Sequence, residues 1–250
     1  MDRRVERMTT FVLVPGFFLG GWAWRPVTDT LRAHGHDVYP LTLTGLAERS
    51  HLASPAVDLA VHTDDVVNLL RWEDLHDVVL VGHSYGGLVT TNAADRIPER
   101  IARLVYVDTG PLPDGAAQAD FAGPEQAARD RVVVDEQGDG WLLPPPPWAD
   151  LAAGVEGVDE ATLRRLAEHC TPQPYATATA PMRLTGAWEK LPRSSISCSF
   201  SVAQIEALAA SAPLFRHMAG DNWRHTELPT WHWPMFSRPA ELASLLLAGA

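Results

Sequence analysis

The pentapeptide Gly82-His-Ser84-Tyr-Gly86 restricts the fold more than any other feature, because it sits between the apolar run Val78-Val-Leu-Val81 and a helical pattern from Leu88 to Arg96. An uninterrupted apolar run of this kind reads as a parallel strand covered on both faces. A strand that turns sharply into a helix holds its middle residue in strained backbone angles, and small neighbours at the flanking positions avoid a clash. The fit to G-x-S-x-G in that setting therefore predicts a serine presented at a sheet edge. Gly87 adds room for close packing of helix on sheet. The competing explanation is a glycine-rich turn whose serine only caps the helix.

The rest of the chain repeats the alternation. Phe11-Val-Leu-Val14 reads as a buried strand ended by Pro15-Gly16, Trp22 to His34 as a helix, and Asp37-Val-Tyr39 as a second strand. Asp64 to Trp72 follows with helical spacing, and Leu104-Val-Tyr-Val107 is the next strand after the serine. Strands alternating with helices predict an α/β fold with a mostly parallel central sheet flanked by helices, and ligands then gather outside the carboxyl ends of the strands. The alternation stops after Asp108. The stretch 111–193 holds the proline run Pro144 to Pro147, scattered tryptophans and short helical patches, and reads as a cap inserted into a core made of 1–110 and 194–250. Ser195 to Phe200 and Asn222 to Leu228 read as the last strands, and Pro239 to Leu247 as the final helix.

A chain of 250 residues is long enough to bury a full core without a second domain. Its net charge of −11 repels phosphate backbones and anionic lipid surfaces, which excludes nucleic acid and membranes as partners and leaves a small-molecule substrate. No run of about 18 apolar residues is present to span a bilayer. Cys170 and Cys198 make no disulfide framework and no metal or redox spacing. Arg3, Arg4 and Arg7 lead straight into the first strand without a leader-like apolar stretch, so a cytoplasmic location is expected. The phosphate-loop, dinucleotide-binding and zinc-protease motifs are all missing, and neither cofactor nor metal is expected. Nothing in the sequence sets an oligomeric state.

With these residues in hand the chain resembles the α/β-hydrolase superfamily, and within it the small esterase branch of plant methylesterases and hydroxynitrile lyases. Leu13-Val-Pro-Gly16-Phe17-Phe-Leu-Gly20-Gly-Trp22 looks like that family's first strand, turn and Gly-x-Trp, with Pro15 where a His is usual. Leu228-Pro-Thr-Trp-His232-Trp-Pro looks like its last strand and histidine loop, with Trp231 where glycine is common. The resemblance implies Ser84 as nucleophile, His232 as base, and the backbone N–H groups of Phe17 and Tyr85 as an oxyanion hole. His83, at the second position of the turn, is expected to point away from the serine.

The relatives mostly carry their acid after the penultimate strand, where Ser201 stands here. A hydroxyl cannot supply the charge that stabilises an imidazolium. Asp108, at the end of the strand after the serine, is the expected substitute, with Glu206 or another carboxylate as alternatives. The readings that remain are that no carboxylate completes the triad and that Asp108 only caps the strand end by accepting backbone N–H bonds. Phe18, Trp141, Trp148, Trp188, Trp231 and Trp233 are the candidates for an apolar or aromatic substrate pocket, although each tryptophan taken singly is as readily a packing residue. Arg193 and Lys190 read as solvated surface positions. The reaction expected is cleavage of an ester or related acyl bond through an acyl-enzyme. Two other readings stay open: a lyase or cyclase acting on a natural-product intermediate, and a ligand-binding module that keeps the Ser–His pair.

Overall fold

A six-stranded parallel sheet forms the centre of the protein in a computed structural model that describes residues 8–249; Arg3, Arg4 and Arg7 lie outside the described residues. The strands are β1 (Thr10–Val14), β2 (Asp37–Pro40), β3 (Val78–His83), β4 (Ile101–Val107), the two-residue pair β5 (Leu142–Leu143) and β6 (Gln173–Pro174), then β7 (Arg193–Ser197) and β8 (Trp223–Glu227). The sheet order is β2-β1-β3-β4-β7-β8, and every pairing in it is parallel; β5 and β6 pair antiparallel on their own.

Side chains alternate across a strand, and both faces here are covered, which is why the strands read as unbroken apolar runs. Val12, Val14, Leu80 and Tyr106 pack on one face with Val66, Leu70, Val89 and Ala93 from helices α2 (Leu59–Trp72) and α3 (Gly86–Arg96). Phe11, Leu13, Val79 and Val81 pack on the other with Val27 and Leu31 of α1 (Arg25–Ala33) and with Leu242 and Leu246 near the chain's carboxyl end. Helix α2 starts earlier than the apolar spacing suggested, because Asp58 caps it by accepting from Val61 N–H at 3.0 Å.

Between β4 and β7 lie α4 (Gln118–Ala122), α5 (Pro124–Gln137), α6 (Trp148–Leu151), α7 (Glu160–His169) and α8 (Ala176–Thr179). This stretch is not uniformly peripheral. Met182 and Trp188 are fully buried in the core on the α3 side, where the N–H groups of Thr185 and Trp188 donate to Asp95 at the end of α3. Arg193 also departs from expectation: it is buried, with its guanidinium 5.1 Å from the Trp188 ring and 5.4 Å from the Trp223 ring, so cation–π contact replaces hydration.

Strand β7 ends at Ser197, earlier than the sequence pattern implied. Ser201 instead caps α9 (Val202–Ser211), its hydroxyl accepting from Gln204 N–H while the Gln204 side chain accepts from Ser201 N–H. The chain closes with α10 (Pro234–Ser237) and α11 (Pro239–Gly249). Among the described residues, no helix is long and apolar enough to cross a membrane.

Candidate active site

Ser84 occupies the turn from β3 to α3 with φ 51°, a left-handed conformation that costs a non-glycine residue about 1–3 kcal/mol and persists only when its surroundings impose it. The surroundings are backbone. A Cβ on Gly82 would lie 2.6 Å from Gly86 O, and one on Gly86 would lie 2.6 Å from Val14 O, so side chains are sterically excluded at both flanking positions. Ser84 N–H also donates to Val107 O at 3.2 Å, tying the turn to the end of β4.

Three side chains 24 and 124 residues apart in sequence converge at this edge, Asp108 being joined to Ser84 through His232. Ser84 Oγ lies 3.0 Å from His232 Nε2, and His232 Nδ1 lies 2.6 Å from Asp108 Oδ2. With Asp108 ionised, Nδ1 carries the proton and Nε2 is left to accept from the serine hydroxyl. Asp108 itself has φ 48°, and its side chain is only 4% exposed. The loop after β7 holds it: Cys198 N–H and Ser199 N–H each donate to Oδ1 at 2.8 Å, and the Ser199 hydroxyl donates to Oδ2 at 2.6 Å. The loop after β7 thus supplies donors to a carboxylate that stands one strand earlier, at the end of β4. His83 is fully buried and has a use of its own. Its Nε2–H donates to the His232 carbonyl at 2.7 Å and so anchors the loop that bears the imidazole.

The turn after β1 lies directly against the serine, since a Cβ on Gly16 would be 2.8 Å from Ser84 Cβ. Tyr85 is the residue before the first turn of α3, where helix amides lack intrahelical acceptors. The Phe17 and Tyr85 rings pack at 4.5 Å, and Tyr85 Oη is paired with His62 Nδ1 at 3.0 Å, His62 Nε2–H donating in turn to Thr44 O. Phe18, with φ 69°, is pinned from the stretch between β4 and β7: its N–H donates to the fully buried Gln173 side chain at 3.0 Å, and its carbonyl accepts from Thr171 N–H. No motif marks Gln173 in the sequence.

Residues 11–245 match the family model described as the alpha/beta hydrolase family. The chain belongs to the α/β-hydrolase family. It is 33% identical over 260 residues to a carbendazim-hydrolysing esterase of Nocardioides sp. (strain SG-4G), covering 96% of this chain and 99% of that protein. Methylesterase 8 of Arabidopsis thaliana is 36% identical over 105 residues, 42% of this chain and 38% of that protein. Among solved structures, an extracellular α/β-hydrolase from a Paenibacillus species has TM-score 0.79 at 22% identity, covering 96% of this chain and 98% of that one. A pyrethroid hydrolase from Sphingobium faniae JZ-2 has TM-score 0.73 at 23% identity, covering 96% of each chain.

In this α/β-hydrolase a cavity of about 180 Å³ opens onto Ser84 and His232, walled by Leu112, Phe121, Phe215 and Met218 with Gln118 as a polar group. The aromatic residues expected in the pocket do not line that cavity. Trp188 is core, as described above. Trp141 is half-buried and bonds through its carbonyl to Tyr175 N–H. Phe18, Trp148, Trp231 and Trp233 instead form one cluster, with Trp148 6.4 Å from Phe18 and 5.0 Å from Trp233, and Trp233 4.7 Å from the His232 ring. Indoles packed on one another bury more apolar area than a solvent-filled cleft would allow, and here they brace the histidine loop.

The titrating groups are set by burial and hydrogen bonding. Burial by itself would raise the Asp108 carboxyl, but the His232 bond, the imidazole charge and the Ser199 donors outweigh it and hold it at about 2. Burial, aided by the nearby His232 charge, pushes His83 down to about 3. Burial also lowers His62. An unfolded histidine titrates near 6.5, so below about pH 6.5 the unfolded state takes up protons that folded His83 refuses. The stability contribution is therefore full above about pH 6.5 and is lost as pH falls toward 3. Thermal midpoints of the wild type should decline steadily below pH 6.5. His83→Gln, which keeps a donor for the His232 carbonyl, should decline less steeply; equal slopes would remove His83 as the source.

Proposed function

We propose that this α/β-hydrolase is a serine esterase acting on small, apolar or aromatic esters through an acyl-enzyme. The observation that carries the reading is the continuous chain from Ser84 Oγ through the two His232 nitrogens to a buried, ionised Asp108. Ser84 Oγ attacks the acyl carbonyl while His232 Nε2 takes its proton, and the Phe17 and Tyr85 N–H groups stabilise the oxyanion. The imidazolium, balanced by Asp108, then protonates the departing alcohol. Water enters, loses its proton to His232 and releases the acid by the same steps in reverse. Relatives that are a carbendazim-hydrolysing esterase and plant methylesterases support an ester as the bond cleaved, and the cavity walls support an apolar substrate. A cytoplasmic location belongs to the same reading, with two free thiols, Cys170 and Cys198, in its favour.

A fluorophosphonate tests the nucleophile without knowledge of the substrate. Intact-protein mass should show one phosphonyl group per chain, and Ser84→Ala should show none. Folded wild-type protein that stays unlabelled would overturn the esterase reading and favour a ligand-binding role.

A further inference from the structure

The cavity at Ser84 has a neighbour. A second, narrower cavity of about 40 Å³ lies against α9, and Asp108, Thr109, Gly110, Phe121, Phe215 and Met218 line both. Three of these six, Phe121, Phe215 and Met218, carry long side chains that can turn. Phe121 and Phe215 meet edge to face at 5.7 Å, and Met218 rests on Gly110, where a Cβ would come within 2.5 Å of its sulfur. A thioether on three rotatable bonds moves aside at little cost, and an aromatic edge contact rearranges more easily than backbone.

Beyond the partition the lining is mostly apolar, Phe200, Ile205 and Leu208, with Ser197 at the end of β7 as its one polar side chain. The one carboxylate there, Asp108, has both oxygens engaged by the loop after β7 and by His232, so it offers no free charge to a ligand. Phe121 and Phe200 are 46% and 45% exposed, large apolar surfaces at the rim of this second space. The first cavity holds a ligand of roughly a dozen non-hydrogen atoms, and the second adds space for roughly three methylene-sized groups.

We propose that the second cavity is a subsite for the far end of an extended apolar substrate, reached past Met218 and Phe215, and that it makes medium-chain esters better substrates than short ones. The proposal rests on the esterase reading and adds the substrate class. Each methylene moved out of water is worth about fourfold in binding, so filling the subsite should be worth tenfold or more in kcat/KM.

Two ester series test it: p-nitrophenyl esters with acyl chains of increasing length, and butyrate esters with alcohols of increasing length. In the unaltered protein kcat/KM should climb with chain length in one series and then level off. Leu208→Trp, which fills the subsite from α9, should lower the ratio of long-chain to short-chain kcat/KM at least tenfold in that series. Met218→Ala, which opens the partition, should raise it. Ratios unchanged in both variants, with fluorophosphonate labelling and cooperative unfolding retained, would overturn the subsite alone. Absence of ester hydrolysis together with absence of labelling in the unaltered protein would overturn the esterase reading and the subsite with it.

Discussion

Asp108→Asn should lower kcat about 10⁴-fold, the loss that follows when the acid beside a serine–histidine pair becomes an amide. The environment decides which way the new amide faces. Cys198 N–H and Ser199 N–H both donate to Oδ1, so the asparagine carbonyl must take that position and its NH₂ must face His232. That NH₂ donates to Nδ1, the proton moves to Nε2, and Nε2 can no longer receive the proton of Ser84. The fold should survive, because the amide keeps the two backbone donors and the Ser199 hydroxyl can reverse to accept from the new NH₂. Turnover of a p-nitrophenyl ester and the rate of fluorophosphonate labelling should fall together. Turnover within tenfold of wild type would remove Asp108 from the catalytic chain and return attention to another carboxylate such as Glu206.

Gln173→Leu should lower kcat by up to about 10²-fold while leaving KM nearly unchanged. The bond from Phe18 N–H to Gln173 holds a residue with φ 69° next to Phe17, whose own amide is the proposed oxyanion donor. A displacement of about 1 Å in such a donor costs on the order of a hundredfold, and the cost appears in kcat because the oxyanion exists only in the transition state. Leucine fills similar space but leaves Phe18 N–H without an acceptor and Thr177 without the Gln173 amide, a stability loss of about 1–3 kcal/mol. Affinity for a trifluoromethyl ketone that mimics the tetrahedral intermediate should weaken by the same factor as kcat/KM. A lower melting temperature with unaltered kcat would make the bond structural only.

Much of the fold was legible because its signals are local. Apolar runs at Phe11–Val14, Val78–Val81 and Leu104–Val107 reported strands covered on both faces, and the glycines around Ser84 reported backbone crowding that the structure shows at Val14 O and Gly86 O. Positions that depend on long-range contact were not legible in the same way. Position in the cap or beside His232 points the tryptophans there toward a pocket, yet an indole goes where it buries most area: Trp188 into the core, and Trp148, Trp231 and Trp233 onto one another. Phe121, Phe215 and Met218, which do wall the cavity, carry no motif and reach it from two separate segments, Phe121 from α4 and the other two from the short turn of helix Pro213–Met218 that follows α9. Gln173 was invisible because its partner lies 155 residues away.

The sequence by itself determined the parallel α/β architecture and the strained serine turn, since strand periodicity and glycine spacing follow from steric and hydrophobic constraints acting within a few residues, while the histidine loop was legible through its resemblance to a known family. Only the tertiary structure decided how Asp108 is held, what pins the Phe17–Phe18 turn and which side chains face the cavity. Those depend on hydrogen bonds and packing between segments that meet only when the sheet has formed, and a donor such as Ser199 N–H acquires its acceptor solely through that meeting.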